Sequence, residues 1–267
     1  MTHEHEQEAV TVQMAERIAI VRLNRPAVMN AVNDSLRQGL TRALRQLDGG
    51  DDAQAIVLTG SGERAFCAGQ DLEESASVDT RTLAGWLNRQ HAMYQAVRDV
   101  NKPLVAAING TAAGAGFQMA LMCDLRVAHP DVKMGQPEVR AGLASIVGSY
   151  LMSLQIGHSL NQQFSLTGEL VDGTRAHALG LVNDLVPQAE VLAQAIKRAG
   201  ELAALPGEAL RVTKQRFRER TQAGFEEACS AGIRYQLECY STGEPQRAMR
   251  EFIARRDAAR TPKPPNE

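Results

Sequence analysis

Cysteine and aromatic residues are scarce in this chain, and long apolar runs are missing. The four cysteines among 267 residues form no C-x-x-C pair, which argues against a disulfide framework. The N-terminal residues lack the apolar stretch of a signal peptide. No apolar run approaches the roughly 20 residues that a membrane helix needs. We therefore expect a protein of the reducing cytoplasm with no membrane partner.

An excess of charge of one sign is also missing. The 29 basic and 31 acidic residues give a net charge of -2, and no basic run is long enough to follow a nucleic-acid backbone. A nucleic-acid partner is therefore not expected. With 44% hydrophobic residues, the chain can bury one large core, or one core with an appendage.

Several catalytic and cofactor-binding motifs are absent. The sequence contains neither a P-loop, G-x-x-x-x-G-K-[ST], nor a nucleophile elbow, G-x-S-x-G. Gly114-x-Gly116 lacks the third glycine of a dinucleotide-binding turn, because Met119 takes that place. Histidines show no metal-ligand spacing, and the segment His3-Glu4-His5 fits a solvated terminus better than a metal site. We expect neither a metal nor a separate cofactor.

Among the residues that are present, the stretch Asn109–Cys123 carries the clearest signal. The apolar run Leu104–Ile108 predicts a buried strand, which leads through small residues into an apolar helix. Unpaired amides at a helix N-terminus carry partial positive charge, so the turn Gly114-Ala115-Gly116 can hold an oxygen that becomes an anion. A tight turn with close helix packing explains the same glycines equally well.

The order of elements predicts an α/β fold. A second loop of small residues, Phe66–Asp71, follows another buried strand, so strand, helix, strand, small-residue loop and helix occur twice. Two short strands, Leu125–Ala128 and Val132–Met134, are predicted around a turn at Pro130-Asp131. Beyond Gln188 the apolar periodicity predicts helices alone, over about 189–204, 207–221, 222–241 and 245–256.

These patterns divide the chain into four segments. A flexible tail at 1–9 precedes the α/β core at 10–200. The helical region at 201–257 is expected to mediate oligomerisation, although packing on its own core is the alternative. The proline-rich residues 258–267 are expected to be disordered.

Seven short motifs occur together over about residues 10–256. They are Asn24-Arg25-Pro26, Phe66-Cys67-Ala68-Gly69-Gln70-Asp71-Leu72, Asn109-Gly110 with Gly114-Ala115-Gly116, Cys123-Asp124, Gly135-Gln136-Pro137-Glu138, Leu166-Thr167-Gly168 and Gly180-Leu181-Val182. In this order and spacing they resemble the crotonase family, the enoyl-CoA hydratase/isomerase superfamily. The resemblance implies a spiral of ββα units and a C-terminal helical region that builds homotrimers, often paired into hexamers.

The resemblance also implies the chemistry. An acyl-CoA thioester carbonyl accepts two backbone N–H bonds, which stabilise the enolate formed when the neighbouring carbons react. By position these amides belong to Gln70 and Ala115, and the acid/base is Glu138. Coenzyme A is part of the substrate. Substrate-binding positions are implied at Ala68, Asp71, Gly114, Ile146, Arg25 and Arg255, with Arg256 as the alternative to Arg255.

Two positions depart from the family pattern. Hydratases carry a second glutamate on the central helix, where this chain has Gln118. An amide can orient water but cannot transfer a proton at neutral pH, and losing a positioned acid/base typically costs roughly 10²- to 10⁴-fold in rate. Ile146 replaces a glycine of the run that lines the reacting carbons. It narrows the pocket, or it turns into the core.

Three functions remain open on the sequence. A one-base isomerase that shifts the double bond of an enoyl-CoA is slightly favoured, because Glu138 alone can remove and return a proton. The second is a hydratase in which Glu138 works with a water held by Gln118. The third is a catalytically weak acyl-CoA-binding protein.

Overall fold

In the described part of the chain, ten strands form two sheets, and from β3 to β8 consecutive strands alternate between them. The structure is a computed structural model that describes residues 8–260, with the side chains of residues 259 and 260 left out. The strands are β1 (Val10–Ala15), β2 (Ile18–Leu23), β3 (Ala55–Gly60), β4 (Ala65–Cys67), β5 (Leu104–Ile108), β6 (Thr111–Ala113), β7 (Leu125–Ala128), β8 (Lys133–Gly135), β9 (Leu170–Asp172) and β10 (Asp184–Leu185). The large sheet has the order β1-β2-β3-β5-β7-β10 and the small sheet β4-β6-β8-β9.

Helices fill the connections and make up the C-terminal third of the described chain. They are α1 (Asp34–Gly49), α2 (Leu72–Ser77), α3 (Leu83–Asp99), α4 (Ala115–Met122), α5 (Ile146–Ser153), α6 (His158–Thr167), α7 (Gly173–Ala178), α8 (Val191–Ala203), α9 (Gly207–Ser241) and α10 (Glu244–Arg260). Asn33 caps α1 by accepting from the Leu36 amide at 3.1 Å. Asp172 caps α7 by accepting from the Arg175 amide at 2.8 Å. Each cap satisfies an amide of the first helical turn that has no partner within the helix.

The large sheet is covered on both faces. Its strands run parallel from β2 to β10, and β1 is antiparallel to β2. Every residue of β3 is buried, as expected for a parallel strand with helices on both sides. Ile56 and Leu58 of β3 pack in the same apolar cluster as Leu36 of α1. The alternating residues Ala55 and Val57 pack with α8. The two-residue period of the strand thus divides the core into two layers.

The small sheet shows how the units repeat. Strand β4 pairs with β6, and β6 pairs with β8, each in parallel. The successive pairs β3 and β4, β5 and β6, and β7 and β8 each give one strand to the large sheet and the next strand to the small sheet. The chain therefore winds as a spiral of ββα units, which confirms the fold class.

The two strands predicted around Pro130-Asp131 exist as β7 and β8, but they do not pair with each other. Strand β7 joins the large sheet and β8 the small one. The peptide between them turns a corner: the Gly173 amide donates to the Pro130 carbonyl at 2.8 Å. Pro130-Asp131 therefore marks the step from one sheet to the other and not a hairpin.

The prediction of two helices at 207–221 and 222–241 is wrong. One helix, α9, runs from Gly207 to Ser241. Gly224, near the predicted break, serves close packing, because a Cβ there would lie 2.7 Å from the Tyr150 ring. The side chain of Lys214 on α9 also pairs with Asp124 at 2.6 Å, beside the first residue of β5. The helix therefore packs along its own core.

Predicted segments also lie at both ends of the chain. The segment His3-Glu4-His5, most of the predicted tail at 1–9 and residues 261–267 of the predicted C-terminal tail lie outside the described residues. Residues 258–260, which belong to that predicted tail, continue α10. No helix within residues 8–260 is long and apolar enough to cross a bilayer.

Candidate active site

The central loop begins where β5 ends and is fixed by one side chain. Asn109 donates to the carbonyl oxygens of Gly60 and Gly62 at 3.1 and 2.6 Å and accepts from the Gly60 amide at 3.1 Å. Gly110 leaves no room for a side chain, since a Cβ there would lie 2.5 Å from the backbone of Arg64. These contacts hold the end of β5 against the loop that follows β3.

A glycine joins this loop to α4. Gly114 has φ of 51°, in the left-handed region that favours glycine. A Cβ at Gly114 would lie 3.0 Å from Oε1 of Glu138. Gly114 therefore allows the backbone to turn and also brings the Glu138 carboxylate next to the first turn of α4.

The Gln70 amide points away from the strand beside it. The Val32 amide donates to the Gly69 carbonyl at 2.8 Å, and the Asp71 amide donates to the Val32 carbonyl at 3.0 Å. This parallel bridge uses the neighbours of Gln70, so its own N–H faces the other side. The Gln70 side chain is held aside by Arg37, whose Nη1 donates to Oε1 at 3.3 Å. Within residues 8–260, the Gln70 amide has no protein acceptor.

The Ala115 amide is the matching donor on the other loop. It is the first amide of α4, so no carbonyl of the helix reaches it, and the described chain supplies no other acceptor. Gly69 brings the two loops together: a Cβ on it would lie 3.1 Å from the Ala113 carbonyl oxygen and 3.8 Å from the Ala115 nitrogen. Two unpartnered amides on touching loops are what an oxyanion hole requires.

Glu138 lies beside these loops with an altered acidity. It opens a short 3-10 helix, Glu138–Ala141, and its Oε1 accepts from Nε2 of Gln118 at 3.0 Å. Part of the residue is exposed, but protein atoms enclose the carboxyl group. This burial raises the pKa of Glu138 to about 7, although hydrogen bonds from its own backbone and from Gln118 act in the opposite direction. Such a carboxylate can take and return a proton at neutral pH.

Gln136 forms the floor under the carboxylate. It is fully buried, and we assign its amide with the nitrogen towards Glu138, where it lies 2.7 and 2.9 Å from the two carboxylate oxygens. Gly148 on α5 makes room for it, because a Cβ there would lie 2.4 Å from the Gln136 amide. Gln118 and Gln136 thus fix the carboxylate by two side-chain amides.

A small cavity opens in front of Glu138. Its volume is about 80 Å³, and its walls come largely from α3, α5 and α9. Leu83, Leu87, Val147 and Tyr240 supply apolar surface, while Gln70 and Ala115 lie at the rim that carries the amides. Among the cavity-lining residues of the described chain, Glu138 is the one carboxylate. The cavity can therefore hold an apolar part of a ligand next to a single acid/base, Glu138.

The two positions that depart from the family pattern both line this cavity. Gln118 faces it from α4, between the oxyanion loop and Glu138. Ile146, the first residue of α5, is on the cavity wall and does not turn into the core. Nearby Cys67 supplies no nucleophile, because burial raises the pKa of its thiol to about 12.

The residues predicted to bind coenzyme A lie apart from the cavity walls. Arg25 is bound within the protein: its Nη1 donates to Asp71 at 2.8 Å and to the Ala31 carbonyl at 2.6 Å. Asp71 in turn caps α2. The Ala68 amide donates to the Met29 carbonyl at 3.0 Å. The roles of these residues towards coenzyme A stay predictions.

The two C-terminal arginines differ in their surroundings. Arg255 is exposed on α10. Arg256 pairs with Glu73 at 3.1 Å, which ties α10 to α2 near the Gln70 loop. Arg256 is thus paired with a carboxylate of α2. The predicted role of Arg255 in binding a phosphate stays a prediction.

Sequence reasoning missed several residues around the cavity. Gln136 belongs to a motif that was noted, but no role was assigned to its amide. Trp86, Gln90 and Tyr94 of α3 were given no role at the site from the sequence. Their spacing of four residues places them on one face of α3, and this signal was available.

Comparisons with known proteins identify the family of this chain. The family model described as enoyl-CoA hydratase/isomerase matches residues 13–261. A probable enoyl-CoA hydratase of Mycobacterium bovis is 32% identical, with 93% of this chain and 96% of that protein aligned. A 2,3-dehydroadipyl-CoA hydratase of Escherichia coli is 34% identical over 80% of this chain and 84% of its own length. The crystal structure of an enoyl-CoA hydratase/isomerase from Mycobacterium paratuberculosis superimposes with a TM-score of 0.84 at 27% identity, covering 91% of this chain and 98% of that one.

Proposed function

The chain belongs to the enoyl-CoA hydratase/isomerase family, and from this premise we propose that it shifts the double bond of an enoyl-CoA thioester with Glu138 as its one proton-transferring side chain. The observation that carries the proposal is the pairing of Glu138 with the Gln118 amide at 3.0 Å, at the place where a second carboxylate would be needed for two-residue acid/base catalysis.

The proposed reaction needs one base and one oxyanion site. The thioester oxygen accepts from the amides of Gln70 and Ala115. The Glu138 carboxylate removes a proton from the carbon next to the thioester, and the electron pair moves into the carbonyl to form an enolate. Glu138 then returns the proton to the far carbon of the allylic system, and the carbonyl re-forms. The product is the conjugated isomer, and no water is consumed.

Two features of the site support this preference. The Gln118 amide donates to the carboxylate and cannot act as a second acid, so proton transfer falls to Glu138. Ile146 adds a branched side chain to the cavity wall near Glu138, which reduces the space for an ordered nucleophilic water. Together they favour a reaction that moves a proton between two carbons.

Hydration is the second candidate, because similar proteins carry the name of hydratase. In that reaction Glu138 would take a proton from a water held by the Gln118 side chain and deliver one to the carbon next to the thioester. Weak catalysis with tight acyl-CoA binding is the third possibility. In all three, coenzyme A arrives as part of the substrate, with Ala68, Asp71 and the basic residues Arg25 and Arg255 as its proposed contacts.

The experiment is turnover of short 3-enoyl-CoA and 2-enoyl-CoA thioesters in H₂O and D₂O, read by mass spectrometry. The proposal predicts isomerisation without mass change in H₂O and, in D₂O, deuterium uptake at the far carbon of the allylic system, which receives the proton from Glu138. A product heavier by one water, formed faster than the isomer, would establish hydration as the main activity. Tight binding without turnover on the whole panel would leave only the binding function.

A further inference from the structure

Helix α3 presents a line of polar side chains to the cavity. Trp86, Gln90 and Tyr94 follow one another at intervals of four residues, and all three line the cavity wall. Trp86 and Gln90 are only 5% and 2% exposed. Their neighbours Leu83 and Leu87 are apolar, so the polar atoms form a local patch in an otherwise apolar wall.

Three buried polar atoms of this patch, on Trp86 and Gln90, lack a hydrogen bond of ordinary geometry within the described chain. Among the described residues, no partner of ordinary geometry satisfies Nε1 of Trp86 or either terminal atom of the Gln90 amide. The Tyr94 hydroxyl lies within loose hydrogen-bonding reach of Gln90 and can satisfy one of the two terminal atoms of its amide, which leaves the other without a partner in this part of the chain. A buried polar group without a partner typically costs about 1–3 kcal/mol, and native proteins retain very few of them. A bound group that completes these hydrogen bonds accounts for their presence.

We propose that the acyl chain of the substrate carries a neutral oxygen, as a hydroxyl or a carbonyl, that binds Trp86 and Gln90. This inference deepens the proposed function and rests on it. The indole N–H donates to the oxygen. The Gln90 amide donates to the same oxygen, or accepts from it when the group is a hydroxyl. The oxygen lies on a carbon beyond those that react, so it is distinct from the hydroxyl that hydration would create.

The charge of the cavity wall disfavours a carboxylate at this position, and the nearby Arg37, which lies 5.6 Å over the Trp86 ring, is already paired with Glu74. No lysine or arginine is among the cavity-lining residues of the described chain. His91 is on the wall, but burial lowers its pKa to about 4, so it is neutral at pH 7. Glu138, whose charge acts on Tyr94, would repel a second anion. A buried anion without a partner is costly, whereas a neutral oxygen is satisfied by the amide and indole donors.

The dimensions of the cavity limit the chain. A volume of about 80 Å³ fits a short acyl group beside Glu138. Because Trp86, Gln90 and Glu138 line the same small cavity, the oxygen lies within a few carbons of the reacting ones. A plain alkyl chain of the same length would fill the space but leave the polar atoms of Trp86 and Gln90 without a hydrogen-bond partner.

The test compares matched enoyl-CoA thioesters that differ in one distal group, which is CH₂, CH(OH) or C=O. Wild type, Gln90→Leu and Trp86→Phe are measured for kcat/KM on each. The saturated analogues, which cannot react, are measured for Kd by calorimetry. Leu87→Met serves as the control, since it changes the same wall without changing its polarity. Thermal unfolding identifies any variant that does not fold, and Trp86→Phe keeps the ring while removing only the N–H.

The proposal predicts that wild type favours an oxygenated member over the alkyl member by about tenfold or more, a difference of about 1.4 kcal/mol. Gln90→Leu and Trp86→Phe should each lower this ratio several-fold, whereas Leu87→Met should keep it. Equal or better use of the alkyl member by wild type overturns the inference, as does an unchanged ratio in both variants. The Kd ratios of the saturated analogues test the oxygen site separately from the proposed isomerisation. If wild type binds the oxygenated analogue more tightly but turns over no enoyl-CoA, the proposed reaction is refuted and the oxygen site is not.

Discussion

At the scale of single residues, Glu138 is kept at a cost to stability. Its folded pKa of about 7 is above the ordinary value of 4.5, so the folded state prefers the protonated carboxyl. The stabilising preference is fully present below pH 4.5 and is lost as pH rises through about 7. By linkage, the cost of holding the ionised form is up to about 3 kcal/mol above that pH, at about 1.36 kcal/mol for each pKa unit.

Glu138→Gln should therefore raise the free energy of unfolding at pH 8 and leave it nearly unchanged at pH 4. The amide has the shape of the protonated acid and does not ionise, so the gain grows as pH rises through 7. Urea unfolding of both proteins at several pH values measures it. Glu227→Gln, which removes an exposed carboxylate on α9, is the control. A pH-independent difference between wild type and Glu138→Gln would contradict a raised pKa.

The backbone donor at Ala115 can be removed with little disturbance of the helix. Ala115 is the first residue of α4, where proline is well tolerated because the position has no intrahelical N–H bond. We expect Ala115→Pro to lower kcat by roughly 10²- to 10³-fold, the usual effect of losing one oxyanion donor. Ala115→Gly retains the N–H and should stay within a few-fold of wild type. Steady-state kinetics of the two variants decides, and equal activities would exclude this amide from the site.

The sequence was a better guide to the positions where the backbone turns than to the orientation of the side chains at the site. Gly69, Gly114 and Gly116 identified both loops, since a missing Cβ leaves a trace in the sequence itself. The orientation of Gln70 could not be predicted, because it follows from its bridge to Val32 across a long sequence separation. Likewise, the missing partners of Gln90 become visible only when three helices surround it.

At the scale of elements, the junction of β4 and α4 decides the geometry of the site. Gly116 packs on β4 so closely that a Cβ would lie 2.1 Å from the Cys67 carbonyl oxygen. This contact sets the distance between the loop that carries Gln70 and the helix that carries Ala115. The helix dipole of α4 is thereby directed at the same point as the amides.

Gly116→Ala should destabilise the protein by about 1–3 kcal/mol, because the backbone of Cys67 cannot yield as a flexible side chain would. Gly85→Ala is a matched control on α3, an exposed helical site with nothing closer than 3.9 Å to the added Cβ. It should be neutral or stabilise by up to about 1 kcal/mol through helix propensity. Urea midpoints at constant m-value test both changes, and equal effects would refute the close packing.

Long elements were predictable and short ones were not. The strands at 55–58 and 104–108 and the helix capped by Asn33 carry enough periodicity to be recognised. Strands β4 and β6 have three residues each, too few to show a period of two, and their pairing is set by β5 and β3. The break predicted between residues 221 and 222 was wrong, because α9 runs through it, and Gly224 beside it serves contact with Tyr150.

At the scale of the whole molecule, the C-terminal helices pack on the core and still leave apolar surface. Phe217 on α9 is 72% exposed, and Phe252 on α10 is 51% exposed. Helices that cover their own core should not need such side chains outside it. We propose that this surface joins subunits into a trimer or a dimer of trimers.

Sedimentation at micromolar concentration should show trimers or hexamers of the 267-residue chain. Phe217→Ser should shift the distribution towards smaller species by removing apolar contact area. Val12→Ser, at an exposed position on strand β1, is the control and should leave the distribution unchanged. A monomer at all concentrations for wild type would show that the apolar surface serves another purpose.

One comparison tests the single-base mechanism most directly: rates of isomerisation and hydration on the same enoyl-CoA substrates for wild type, Glu138→Gln and Gln118→Glu. Glu138→Gln should lower kcat by roughly 10²- to 10⁴-fold with little change in acyl-CoA affinity, because proton transfer belongs to the transition state. Gln118→Glu places two carboxylates together, so one should titrate higher and act as an acid, raising hydration relative to isomerisation. Near-full activity of Glu138→Gln in a folded protein would contradict the mechanism and place the proton on another residue.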